Sequence, residues 1–367
     1  MQRKVRILYT IPNFVSAGSG QAMVNIIDRL DRNRFEPTVV VGKLGGDLVD
    51  HLESSGVRVI EAPFSVDLQP LSSLPLRIWR ARAPFRRQFD LWHSFNWQGD
   101  FTEPLIAYTS GARSWVFTKK NMGFGTKSWK IRALLARRIA VQNDEMTRVF
   151  FAKPWFRHKV RYIPTGIDVE PWQLAPADRT IRQRLGIPGD AIVIVCVGDI
   201  QLRKNQAALV PVLAQIPHTH VILAGRSLDP AYSDGLVQAA AGLGVSGRLH
   251  LLGQVSDVPG LLKASDVFSL LSFAEGSPIA MVEAMAIGLP GVYSAIPGIR
   301  ERVNDGVDGF VVSPDDASAI TTRFRQLADS AELRRTMGVA ARATAELRGR
   351  VETEAARYET LYLELIR

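Results

Sequence analysis

In the stretch DVFSLLSFAEGSPIAMVEAMAIGLPGV, residues 266–292, two glutamates stand with seven residues between them. An apolar strand ends near Leu271, and a loop carries Glu275, Gly276, Ser277 and Pro278. A helix follows, with Ser277 placed as its N-cap and Pro278 in its first turn. The free N–H groups and positive dipole end of such a helix suit a diphosphate or sugar hydroxyls. Glu283 lies about two turns further on, near the same helical face. Carboxylates do not neutralise phosphate, but they accept hydrogen bonds from hydroxyls, as they do from ribose in dinucleotide-binding folds. The competing reading makes Glu275 a loop-surface charge and puts Glu283 on a solvated face. Against it, Glu283 sits in AMVEAMA, between apolar neighbours.

Those residues need a scaffold, and the sequence predicts one. VRILYTI, PTVVVG, VRVIEA, DLWHS, SWVFT, RIAVQN and VRYIP are short β-branched or aromatic runs in the first half. Helical patterns such as 21–31 and 127–138 separate them, which gives βαβ units and a parallel sheet. AIVIVCVG restarts the pattern as a buried parallel strand, and HVILAG, RLHLLG, DVFSLL, PGVYS and GFVVS follow. TGIDVEPWQLAPADR, between the halves, lacks periodicity and reads as a hinge. Helices are expected at 316–328, 331–347 and 350–366. The fold class is therefore α/β: two Rossmann-like doubly wound domains facing a cleft, with the final helix crossing back to the first. The boundaries are 1–165, 166–349 and 350–367. Ligands of such sheets bind at the carboxyl ends of the strands.

The composition is that of an ordinary globular chain, 46% hydrophobic and 22% charged over 367 residues. The one cysteine, Cys196, reads as a buried core thiol. No signal peptide or membrane-length apolar run is recognisable, so a cytoplasmic location is expected, with a peripheral seat at the cytoplasmic face of the membrane. The net charge of +9 is uneven: residues 1–165 hold 26 Lys+Arg against 13 Asp+Glu, and the remainder 19 against 23. Such asymmetry points the first domain at an anionic partner, a nucleic acid, a membrane or a phosphate-bearing substrate.

E-G-S-P-I-A-M-V-E-A-M-A-I-G-L-P resembles the signature of retaining glycosyltransferases of the GT-B fold, family 4, the glycosyl transferases group 1. The similarity extends to IPTGID at 163–168, VGDIQLRKNQ at 197–206, LAGR at 223–226, LLGQVSDVPGLLKASDVFSLLS before the glutamates and DGVDGFVVSPDD after them. It is looser in the first half, where it rests on Gly18, Gly20 and His93. The resemblance implies a metal-independent enzyme without a cofactor. It would move a sugar from a nucleotide diphosphate donor, of the UDP-sugar kind, to a glycan, lipid-linked or small-molecule acceptor in cell-surface polysaccharide or glycolipid synthesis. Glu275 would meet hydroxyls of the donor sugar, Glu283 the ribose, and Lys204 the diphosphate. Backbone N–H groups of Gly276, Ser277, Pro278 and Ile279 are assigned to the phosphate or sugar oxygens, Pro278 lending only its place in the turn. Gly18 and Gly20 would let the first loop approach the donor closely.

Two positions depart from the family pattern. Asp199 stands where an arginine is usual, five residues before Lys204, with Arg203 offered as compensation. Lys119, Lys120 and Asn121 stand where a histidine is usual, so Lys120, with His93, takes the candidate polar role near the reacting carbon. His93 equally fits a satisfied histidine at a strand end. Those departures keep a catalytically silent nucleotide-sugar-binding protein open, and a nucleotide-sugar epimerase stands as a further alternative. The glycine pattern at 18–23 lacks the third glycine and the acidic residue of a dinucleotide site. No aromatic-basic RNA motif or helix-turn-helix supports nucleic acid. No His cluster or acidic triplet suggests a metal, and Asp315-Asp316 reads as a helix cap. LRIWRARAPFRRQF (76–89) and KSWKIRALLARR (127–138) mix cations with apolar residues, as an anionic membrane surface would favour.

Overall fold

The computed structural model describes residues 3–14, 17–97, 99–123, 128–178 and 180–366. All thirteen strands expected from the apolar runs are present. The first sheet holds β1 (Val5–Ile11), β2 (Phe35–Val41), β3 (Arg58–Glu61), β4 (Leu91–Ser94), β5 (Ser114–Lys119), β6 (Arg138–Val141) and β7 (Val160–Tyr162). The second holds β8 (Ile192–Val197), β9 (Thr219–Ala224), β10 (Leu249–Gly253), β11 (Val267–Leu270), β12 (Gly291–Ser294) and β13 (Phe310–Val312). Every pairing is parallel.

The chain forms two units, 1–166 with 351–367, and 167–350. In the first the strand order is β3-β2-β1-β4-β5-β6-β7, and in the second β10-β9-β8-β11-β12-β13. Each order reverses direction once, at β1/β4 and at β8/β11. At such a reversal the connecting helices leave to opposite faces and open a crevice beyond the strand ends.

Alternation along the strands fills two cores in unit 1. Ile7, Tyr9, Leu91 and Val116 face the helix Ala17–Arg29 and the final helix Val351–Ile366, whose Tyr358, Leu361 and Tyr362 are buried among them. Leu8, Trp92, Trp115 and Phe117 face the other way, onto Ile78, Ile106, Ala133 and Phe156 of the intervening helices. Burying side chains of this size contributes roughly 1.5–3 kcal/mol each. The final helix is therefore part of the unit 1 core.

Two expectations need correction here. The segment 165–179 is not featureless: it contains the helix Val169–Leu174, with Val169 and Trp172 packed in the unit 2 core. Arg179 lies outside the described residues. Gly18 and Gly20 are not in a loop but in the first turn of the helix Ala17–Arg29. A Cβ on Gly20 would meet the Phe14 ring at 2.7 Å, whereas one on Gly18 would meet nothing within 4 Å. Gly20 therefore serves a close packing contact inside the unit.

Candidate active site

In unit 2, the loops after β8 and β11 meet at the strand reversal. The loop after β8 bends through Gly198 at φ 145°, and Gly225 at the end of β9 packs against it. A Cβ on Gly225 would come 2.1 Å from the Gly198 carbonyl oxygen, so only glycine fits. This approach aims a short 3-10 turn, Leu202–Lys204, at the loop after β11. Phe273 N–H donates to the Arg203 carbonyl at 2.9 Å and closes the two loops on each other. Arg203 Nη1 donates to the Ala274 carbonyl at 2.6 Å.

Across this junction Lys204 Nζ meets Glu275 Oε1 at 2.7 Å, with the Glu275 side chain only 9% exposed. Ser272 Oγ donates to the same oxygen at 2.7 Å, and Arg203 Nη1 lies 3.6 Å from Oε2. The family resemblance implied a diphosphate for Lys204 and a sugar for Glu275; the fold puts their charged ends in contact. A cation and an acceptor side by side suit a ligand that carries phosphate next to hydroxyls.

The helix after this loop begins at Ile279, so Pro278 and not Ser277 occupies the N-cap position, with no side-chain cap. Proline there fixes the entry while sparing the next N–H groups. Gly298 supports the loop from below: a Cβ there would lie 2.4 Å from the Gly276 carbonyl oxygen. Glu283, on the second turn, sits among buried Met281, Val282, Ala284 and Met285. Burial raises its carboxyl to about 7. No side chain or backbone N–H of the described residues bonds to that carboxylate, whereas Glu275, Asp266 and Asp308 all have partners.

Asp199 points away from this centre toward the end of β9. Its carboxylate takes Arg226 Nε at 3.2 Å and Arg226 Nη2 at 3.5 Å. The carboxylate that departs from the family pattern is thus answered by a cation that the sequence reading did not single out. The signal was present in LAGR, where an arginine directly follows a strand-end glycine.

Unit 1 treats its reversal differently. Glu103 is fully buried between the ends of β1 and β4. Its carboxylate accepts from Thr10 Oγ1 at 2.5 Å, Trp92 Nε1 at 3.1 Å and Ser94 Oγ at 2.8 Å, and meets Arg132 Nη2 at 3.4 Å. Arg132, equally buried, lies over the Trp115 and Phe117 rings. Desolvation raises the Glu103 carboxyl, opposed by Arg132, Thr10 and Ser94.

His93 is sealed in the core, with Nδ1 2.7 Å from Tyr362 Oη and Nε2 2.8 Å from Thr118 Oγ1. Burial, then the Lys120 charge, lowers its pKa well below the usual value. Both nitrogens are taken, and no substrate reaches them. Lys120, just past β5, donates to the Ser19 carbonyl at 3.0 Å and lies 4.4 Å from the Phe95 ring centre. Desolvation, opposed by Glu354, lowers it to about 7. Lys119 is held near Asn121 and Gly123, and desolvation brings it also to about 7. The candidate residues therefore gather in two sets: Arg203, Lys204, Glu275–Ile279 and Glu283 in unit 2, and Gly18, Gly20 and Lys120 in unit 1, with His93 beneath.

Residues 177–344 match the model of a family described as glycosyl transferases group 1. Over 182 residues the chain is 32% identical to the D-inositol 3-phosphate glycosyltransferases of Mycobacterium tuberculosis and Mycobacterium bovis. That alignment takes in 48% of this chain and spans only 38% of the length of those curated relatives. Among solved structures, it is similar to HepE of Anabaena in complex with UDP and glucose, at TM-score 0.82 and 22% identity over 98% of this chain and 99% of that one. A glycosyltransferase from Rickettsia africae aligns at TM-score 0.84 and 18% identity over the whole of both chains. The α/β architecture with two parallel sheets is thus the fold of GT-B glycosyltransferases.

Proposed function

We propose that this protein is a retaining glycosyltransferase that takes its sugar from a nucleoside diphosphate donor bound to unit 2. The observation that carries this reading is the placement of Lys204, Glu275 and Glu283 at the β8/β11 reversal. A cation, a sugar-facing acceptor and an unpartnered, desolvated carboxylate lie within one helix start. Lys204 and Arg203 take the diphosphate, together with N–H groups at the start of the helix Ile279–Ala286. Glu275 accepts from hydroxyls of the donor sugar, and Glu283 from those of the ribose, which return the hydrogen bonds its burial removed. Arg226, held by Asp199, supplies the cation that the loop lacks at position 199. Unit 1 holds the acceptor, a glycan, lipid-linked or small molecule, with Lys120 near neutrality as its polar contact.

In the transfer step the bond from the anomeric carbon to the diphosphate oxygen breaks, and the acceptor oxygen attacks from the same face. The acceptor proton passes to the leaving phosphate. Fixed positive charge and N–H dipoles stabilise the departing diphosphate without reorganising. The similarity of residues 177–344 to the group 1 family supports this reading.

The test is a panel of nucleotide sugars in thermal melts, followed by nucleoside diphosphate release with an acceptor and EDTA. A donor that binds only the folded chain raises its melting temperature. Transfer should survive EDTA. If no nucleotide sugar raises the melting temperature, the donor site is misplaced. If a donor binds but nucleoside diphosphate release never exceeds the blank, the protein is a nucleotide-sugar-binding module.

A further inference from the structure

Unit 1 concentrates its charge on one side of its sheet, a fact independent of the reaction. Segments 71–89 and 128–161 hold 14 Lys+Arg against 2 Asp+Glu. Their helices, Leu74–Ala81, Trp129–Leu135, Asp144–Phe150 and Pro154–Arg157, all pack on the Trp92 and Phe117 side. The opposite layer is acidic. Helices Ala17–Arg29, Asp47–Ser54 and Val351–Ile366 together carry 8 Asp+Glu against 2 Lys+Arg.

The two basic stretches split their residues between core and surface. Ile78, Phe85, Phe89 and Ala133 are buried, and Arg132 is spent on Glu103. Arg138 and Arg161 are spent on Glu364. Lys127 lies outside the described residues. What remains outward is both apolar and cationic. Leu76, Trp79, Ile131, Leu134, Val149 and Trp155 are between 46% and 59% exposed. Around them Arg80, Arg86, Arg87, Lys130, Lys153 and Arg157 are exposed and form no ion pair among the described residues.

Single exposed apolar residues are ordinary, but six on one helix layer, interleaved with uncommitted cations, are not. No described helix is long and apolar enough to cross a membrane. We propose that this layer of unit 1 docks on the surface of an anionic lipid bilayer. The cations face lipid phosphates, Trp79 and Trp155 lie at headgroup depth, and Leu76, Ile131, Leu134 and Val149 enter the acyl boundary. A nucleic acid would use the same cations but would gain nothing from exposed leucine, isoleucine and valine, so charge complementarity together with aliphatic exposure favours lipid.

The full-length chain should be sedimented with vesicles of phosphatidylcholine alone and of phosphatidylcholine with one third phosphatidylglycerol. Binding to the second only, lost in high salt, is expected. Arg80→Gln and Arg157→Gln should each lower partition about fivefold. Bromine-labelled acyl chains should quench tryptophan emission in the parent and not in a Trp79→Ser, Trp155→Ser double variant. That variant should melt like the parent, because both side chains are at the surface. Equal binding to both vesicles, or none, overturns the proposal. So does tighter binding to duplex DNA than to anionic vesicles, with the tryptophan variant unaffected on both.

Discussion

The two sheets reverse strand order in the same way, yet the carboxylate set beside each reversal is held under opposite conditions. At β1/β4, Glu103 has hydrogen bonds from Thr10, Trp92 and Ser94 and a buried arginine beside it. At β8/β11, Glu283 is desolvated and bonded to nothing in the described residues, while Glu275 is matched by Lys204. A buried acid with every lone pair answered is a structural brace. A desolvated acid left unanswered raises the free energy of the fold, and a ligand bearing hydroxyls removes that penalty. Topology says where a site can form; hydrogen-bond satisfaction separates a place that is already filled from one that still offers an acceptor.

Breaking the brace should give the largest effect. Arg132→Ala leaves Glu103 buried without its cation, which costs about 3–5 kcal/mol. For a unit of this size that lowers the melting temperature by on the order of 10 °C. Nucleoside diphosphate affinity of the remaining folded protein should stay within twofold, since Arg132 belongs to unit 1. A variant that melts like the parent would remove the brace from the account.

Glu283→Gln should do the reverse. Loss of a charge-assisted acceptor worth roughly 1.5–3 kcal/mol should weaken nucleoside diphosphate binding ten- to hundredfold. The folded value near 7 lies above the ordinary 4.5, so the native state holds the proton more tightly. Stability from this group is therefore fully present below pH 4.5 and lost as pH rises through 7. At pH 8 the glutamine variant should melt at or above the parent. Calorimetric titration beside melting curves decides it. Weaker stability with normal affinity would make Glu283 a second brace and end the contrast.

The same carboxyl predicts a pH effect of about tenfold. Hydroxyl donors favour the ionised form, so binding should weaken from pH 8 to pH 6 as Glu283 takes up its proton. The ligand's own phosphate titrates in that window. The readout is therefore the difference in slope between the parent and Glu283→Gln, and parallel slopes would refute it.

The strands and the glutamate pair were legible because each rests on local pattern. Continuous apolar runs mark buried parallel strands, and E-G-S-P leading into an apolar helix marks a strand-to-helix turn. What escaped was pairing between distant residues. Thr10, Glu103 and Arg132 look like a strand polar residue, an N-terminal helix charge and one cation among many; only the sheet order brings them together. His93 offered two readings at a strand end; Tyr362 of the final helix, 269 residues on, takes one ring nitrogen and Thr118 of the neighbouring strand takes the other. Gly20 was read for a loop and proved to be packing against Phe14, a distinction no spacing encodes.

The smallest expected effect tests whether unit 2 repairs its own departure. Asp199 and Arg226 are each roughly one third exposed, 31% and 42%, so their pair contributes little to stability, about 0.2–1 kcal/mol. Arg226 nevertheless lies beside the loop after β8. Its carbonyl accepts from Ile200 N–H at 2.8 Å, and Gly225 before it presses on Gly198. If Arg226 faces the diphosphate, Arg226→Gln should weaken nucleoside diphosphate binding about three- to tenfold, as loss of a partly screened cation would. Binding of the nucleoside alone should not change, because no phosphate is there to be missed. Asp199→Asn keeps the arginine and removes the competing anion, so two opposed effects nearly cancel and affinity should move by less than about threefold. Equal loss of nucleoside and nucleoside diphosphate binding in Arg226→Gln would place this arginine at the base end of the ligand. Normal binding of both would leave Asp199 as an unrepaired departure, with Lys204 and Arg203 carrying the phosphate charge by themselves.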